Sequence, residues 1–96
     1  MRIRMTDSAM QDLQAINEWY KAEQAPAAGR ALIKKILLRI DKLSDYPELG
    51  RIVPEFGHQH IRELIQNPYR IVYRLGQQHI DIIRIWHSRR PLQLPG

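Results

Sequence analysis

Arg2-Ile3-Arg4-Met5 alternates polar and apolar positions, the two-residue period of a half-buried strand, and reads as a short edge strand. The period then changes. Ala9, Leu13, Ile16 and Tyr20 recur at three- and four-residue intervals and predict a helix of about four turns. Ser8 and Gln11 have capping-box spacing, in which each side chain meets an orphan backbone donor at a helix start. Ala25-Pro26 breaks the helix, because the residue before proline is pushed away from helical torsions. Pro26 suits the first turn of a second helix, where its missing N–H costs little. Leu32, Ile36, Ile40 and Leu43 form the apolar stripe of that helix, widened by Ile33 and Leu37. Arg30, Lys34, Lys35, Arg39 and Lys42 occupy much of the rest, and the helix is expected to stop near Asp45-Tyr46-Pro47.

Residues 48–60 contain Gly50, Pro54 and Gly57, keep no period and read as loop. Three runs rich in β-branched and aromatic residues follow: Ile61–Ile65, Tyr69–Arg74 and Ile80–His87. Gln66-Asn67-Pro68 and Gly76-Gln77-Gln78 are short enough links for antiparallel hairpins. The element order is therefore β-α-α-β-β-β, an α+β fold in which a helical hairpin packs on a small antiparallel sheet. Residues 1–96 make one domain. Arg89-Arg90-Pro91 to Gly96 reads as a tail.

Charge alters this picture in one place. The net charge is +5, and residues 62–96 hold six arginines against two acids, so the excess lies on the strands and the tail. That balance points to an anionic partner, nucleic acid or acidic protein. No apolar run has the roughly 20 residues of a membrane helix, and Arg2, Arg4 and Asp7 interrupt any secretory leader. With no cysteine in the chain, the expectation is a cytoplasmic protein without disulfides. His58-x-His60 lacks carboxylate or cysteine neighbours at ligand spacing, and there is no Gly-rich phosphate cradle, so neither metal nor cofactor is expected.

Asp12-Leu13-x-x-Ile16, Tyr46-Pro47-x-x-Gly50-Arg51, Arg62-Glu63-Leu64, Tyr69-Arg70-Ile71-Val72-Tyr73-Arg74 and Ile85-Trp86-His87-Ser88-Arg89-Arg90 occur in that order. Together they resemble the RelE/ParE superfamily of toxins from bacterial type II toxin–antitoxin systems, over nearly the whole chain. The resemblance implies a growth-inhibiting toxin, of a kind used in plasmid stabilisation, held in a hetero-oligomer by a cognate acidic antitoxin. It leaves two activities open. RelE-like relatives cut mRNA in the ribosome, whereas ParE-like relatives poison DNA gyrase. Metal-free RNA cleavage needs a base, an acid and charge stabilisation at the phosphate. The RelE-like set maps here onto Arg70 and Arg90, with His87 as acid and Glu63 as base in an alternative version. The paired lysines of RelE are replaced by Ile61 and Glu63, and its C-terminal helix with a tyrosine has no counterpart. The chain thus looks closer to ParE, a gyrase inhibitor acting by protein contact, with a non-toxic basic binding module as a third reading.

Strand alternation sets expectations for individual residues. Arg70 and Arg74 point away from the face shared by Tyr69, Ile71, Tyr73 and Leu75. With Arg62, Arg89 and Arg90 they would form a basic face for target or antitoxin, since the guanidinium fork binds phosphate or carboxylate. Glu63 shares a face with Ile61 and Ile65, so it either borders the core or has Arg70 or Arg74 as a neighbour, and a structural pairing is expected ahead of a catalytic role. His87 is expected to pack or hydrogen-bond, and the tyrosines to be core walls with wet hydroxyls. Trp19, off its helix's stripe, and Ile33 and Leu37 are candidates for a groove that takes a partner's amphipathic helix.

Overall fold

The structure, a computed structural model, describes residues 1–95; the last residue of the expected tail, Gly96, lies outside them. Strand β1 (Arg2–Met5) leads into helix α1 (Asp7–Ala22) and helix α2 (Pro26–Asp41), which ends in a single 3-10 turn over Lys42–Ser44. Strands β2 (Arg51–Ile52), β3 (Ile61–Gln66), β4 (Tyr69–Leu75) and β5 (His79–His87) follow. They form one five-stranded sheet in the order β1-β5-β4-β3-β2.

The expected order holds, with three refinements. The sheet is mixed, because β1 runs parallel to β5, Ile3 opposite Ile80 and Met5 opposite Ile82. No tight turn joins these two strands, so nothing local dictates an antiparallel pairing. The loop also contributes the two-residue β2, which pairs with Glu63 and Arg62 at the outer edge. Finally, the cap of α1 is Thr6 rather than Ser8. Thr6 donates its amide N–H and its hydroxyl to the Ile82 carbonyl at 3.2 and 2.7 Å, so the strand–helix junction already pins it. Its Oγ1 also accepts the Ala9 N–H at 3.2 Å, which starts the helix two residues earlier. Between the helices, Gln24 takes a left-handed φ of 63° while Ala25 N–H reaches Tyr20 O and Gln24 N–H reaches Lys21 O, a Schellman ending.

Helices and sheet meet in a core of Ala9, Ile16, Ile36, Ile40 and Leu43 against Leu64, Ile71, Tyr73, Ile80, Ile82 and Ile85. One irregularity makes this possible. The β4–β5 register shifts between Val72, which faces Arg84, and Tyr73, which faces Ile82, leaving Ile83 as the extra residue of a bulge. Alternation therefore changes phase within β5. Tyr73 is fully buried, and its hydroxyl is not wet as expected: it donates to Pro47 O at 2.8 Å and accepts the Gly50 N–H at 2.9 Å. It ties the 46–50 loop to the sheet.

The helices touch most closely at Gly29, where an added Cβ would lie 2.7 Å from Tyr20 Cβ, an atom fixed to the backbone. Replacing a helical glycine by alanine returns about 1 kcal/mol of propensity, but overpacking costs about 1–3 kcal/mol. Gly29→Ala is therefore expected to destabilise the protein by about 1 kcal/mol, read as a lower urea midpoint at unchanged m-value; a raised midpoint would show that the helices separate freely.

Candidate functional site

Cross-strand register places Arg4 opposite Asp81, Asp81 opposite Arg74, Arg51 opposite Glu63, and Val72 between Glu63 and Arg84. These residues alternate with the core positions, so they occupy the sheet face turned away from the helices. Most of their charge cancels there. Glu63, 1% exposed, accepts Nε–H from both Arg51, at 2.8 Å, and Arg70. The other two nitrogens of Arg70 grip Glu55 bidentately at 2.6 and 2.8 Å. The hydrogen bond from Arg70 holds the Glu55 carboxyl down to about 2, and the same pair of carboxylates raises the guanidinium. Arg70 is 8% exposed, with all its polar reach spent on carboxylates. Of the two surroundings that alternation left open for Glu63, the structure shows the one beside Arg70.

Arg74 remains exposed, 3.5 Å from Asp81, and Arg4 binds the same carboxylate through Nε at 2.8 Å. The Arg4 hydrogen bond is the main reason the Asp81 carboxyl sits below its usual range. Arg62 has the opposite parity, facing Tyr73 across the ladder, and donates to Gly50 O and Gln59 O. Arg89 and Arg90 lie beyond the end of β5. Arg62, Arg70, Arg74, Arg89 and Arg90 therefore do not make one basic face: parity removes Arg62, ion pairing removes Arg70, and the strand ends before the last two. Sequence reading missed Arg4 and Arg51 as members of this face and Glu55 as a neutraliser. The alternation of β1 was visible, but its place beside β5 was not.

A second site lies where β1 stops and β5 runs on alone. Asp12 of α1 takes the place of a neighbouring strand: its carboxylate accepts the Ile85 N–H at 2.9 Å and both Nε–H and Nη2–H of Arg84 at 2.8 Å. The Arg84 guanidinium also lies over the Trp86 ring, 4.3 Å from its centroid. Beside this clamp opens a cleft of about 390 Å³ that reaches Trp19, Tyr20, Tyr69, His87 and Arg90. Tyr69 and His87 meet edge to face at 5.4 Å, as do Trp19 and Tyr20 at 4.9 Å. His87 Nδ1 accepts the Arg89 N–H at 3.2 Å, so in the neutral ring the proton sits on Nε2.

The structure brings His87 and Arg90 together in this cleft but keeps Arg70 apart. His87 pairs with Tyr69, which packs against the core, while Arg70 pairs with Trp86 on the opposite face. Arg70 and Glu63 thus lie on one sheet face and His87 on the other. The proposed helix groove also divides. Trp19, 56% exposed, belongs to the cleft, whereas Ile33 and Leu37 line a separate depression of about 470 Å³ on α2, rimmed by Arg30 and Lys34. Trp19 stands on α1 and lines the cleft with β5 residues, whereas Ile33 and Leu37 stand on α2.

A family profile described as "ParE toxin of type II toxin-antitoxin system, parDE" matches residues 3–92. The chain belongs to this toxin family. The ParE-family chain is 32% identical over 83 residues to "Toxin RelE2" of Caulobacter vibrioides, covering 85% of this chain and 89% of that relative. Its fold is similar to that of a structure titled "Chromosomal ParDE TA system from P. aeruginosa", with TM-score 0.76 at 23% identity over 93% of this chain and 97% of the other. Among the described residues, no helix is long and apolar enough to cross a membrane, and no group of three or more His, Cys, Asp or Glu is placed to hold a metal ion.

Two outcomes test the ion network of this ParE-family chain. Glu63→Leu leaves a buried guanidinium with one carboxylate and is expected to cost about 3 kcal/mol, the low end for breaking a buried pair because Glu55 stays. Glu63→Leu with Arg70→Met is expected to recover most of that loss in the urea midpoint; no recovery would mean that the carboxylate's shape, and not its charge, matters. The depressed Glu55 carboxyl stabilises the fold above its ordinary value of 4.5, and that contribution disappears as pH falls through about 2. Glu55→Gln should therefore flatten the fall of the urea midpoint between those pH values.

Proposed function

We propose that this chain is a cytoplasmic ParE-like toxin that arrests bacterial growth by poisoning DNA gyrase through protein contact, and that a cognate antitoxin neutralises it in a hetero-oligomer. The family profile supports the toxin class. The observation that favours gyrase over RNA cleavage is the separation of the nuclease set. Arg70 is held by Glu55 and Glu63 on one sheet face, and His87 stands on the other. Proton transfer and phosphate stabilisation need both groups at one phosphate.

An antitoxin partner is supported by the ParDE system of the structural relative. The α2 depression suits it chemically, being apolar along Ile33, Leu37 and Leu38, with two cations, Arg30 and Lys34, against one acid, Asp41, a match for an amphipathic helix of net acidic charge. The ribosome-dependent nuclease reading draws support from the name of the Caulobacter relative and from His87 and Arg90 sharing a cleft.

Side-by-side assays separate the two. The purified toxin is expected to inhibit supercoiling by gyrase, to lose that inhibition when antitoxin is added, and to leave mRNA on translating ribosomes intact. Cut mRNA with gyrase supercoiling untouched would overturn the proposal in favour of the nuclease. Normal growth of a bacterial host making the folded protein would favour the non-toxic binding module.

A further inference from the structure

The cleft between α1 and the end of β5 has a composition that neither gyrase contact nor antitoxin capture accounts for. Both tryptophans of the chain, Trp19 and Trp86, line it, with Tyr20, Tyr69 and His87. Its volume, about 390 Å³, falls at the small end of ligand pockets, which run from about 300 to 1,000 Å³. The rings of Trp19, Tyr20, Tyr69 and His87 beside so small a space favour a flat guest. Trp19 is held edge to face by Tyr20 and is 56% exposed, so the ring is braced on one side and open on the other. A braced, open indole is a stacking platform, and stacking accepts any base because every base has a π-face.

The polar groups define the rest of the guest. Asp12 neutralises Arg84, so the surplus cation of the cleft is Arg90, whose side chain pairs with nothing among the described residues. One free guanidinium matches one phosphodiester or phosphate oxygen pair. The hydroxyls of Tyr20 and Tyr69 and the Nε2–H of His87 are donors left without partners among the described residues.

We propose that this cleft binds a single nucleoside phosphate unit, with the base stacked on Trp19 and the phosphate held by Arg90. The unit comes either from a free nucleotide or from one unstacked position of a single strand. The site is independent of the gyrase reading, since binding is measured on the toxin alone.

Because the exposed Trp19 lines the cleft, intrinsic fluorescence of the toxin reports occupancy. Titration with adenosine monophosphate or with a short single-stranded oligonucleotide is expected to quench it saturably. A free nucleotide source predicts comparable affinity for the monophosphate and for a short single-stranded oligonucleotide; a strand-borne source predicts binding of the oligonucleotide alone. Arg90→Ala and Trp19→Ala, both at exposed positions, should each weaken binding about tenfold. Arg74→Ala removes the same charge from the other sheet face and should leave it unchanged. No saturable quenching by either ligand at millimolar concentration would overturn the proposal. So would equal losses in Arg74→Ala and Arg90→Ala, which would show general attraction of anions. An acidic, phenylalanine-bearing peptide binding as well as the nucleotide would overturn it in favour of a peptide site.

Discussion

Between Val72 and Tyr73 the ladder from β4 to β5 slips by one residue, and that slip decides what each sheet face contains. Strict alternation along Ile80-Asp81-Ile82-Ile83-Arg84-Ile85 would send Ile80 and Ile82 to one face and Ile85 to the other. With Ile83 displaced from the pairing, all three isoleucines enter the core, and each is worth about 1.5–3 kcal/mol when buried. The irregularity leaves one residue unpaired, a smaller loss than turning an isoleucine to water. Its effect reaches the chemistry as well. Downstream of the slip, Arg84 and Trp86 join the outer face, while His87 turns with Tyr69 towards the helices.

The electrostatics follow from which charges this arrangement makes neighbours. A buried carboxylate at Glu63 is tolerable because two guanidiniums converge on it, and Arg70 is tolerable because Glu55 closes over its far side. A strand that looks basic in sequence is consequently close to neutral in the fold. Positive potential survives where arginines outnumber carboxylates: around Arg4 and Arg74, which share Asp81, and at Arg90 beside the aromatic cleft. Partner recognition is thereby divided among separated patches.

Much of the architecture was legible in local patterns. The stripes Ala9-Leu13-Ile16-Tyr20 and Leu32-Ile36-Ile40-Leu43 lie where the helices meet the sheet, because helical periodicity is a local property. The cap was misplaced since Thr6 depends on a carbonyl 76 residues away. The same limit applied to the arginines. Alternation placed Arg70 and Arg74 on one side correctly, but Glu55 reaches Arg70 from a loop without periodicity, and Asp12 reaches Arg84 from a helix. Grouping Trp19 with Ile33 and Leu37 failed for a related reason: one-dimensional spacing says which side of its own helix a residue occupies, and nothing about how two helices are rotated against each other.

The carboxylate of Asp12 has a consequence for the toxin when it is alone. A nine-residue strand covered over only part of its length would ordinarily recruit another chain to its bare backbone. Occupying the Ile85 amide with a side chain, and fastening that side chain with Arg84, blunts the template that fibrils grow from. One amide of this exposed edge is thereby withheld from pairing with another chain.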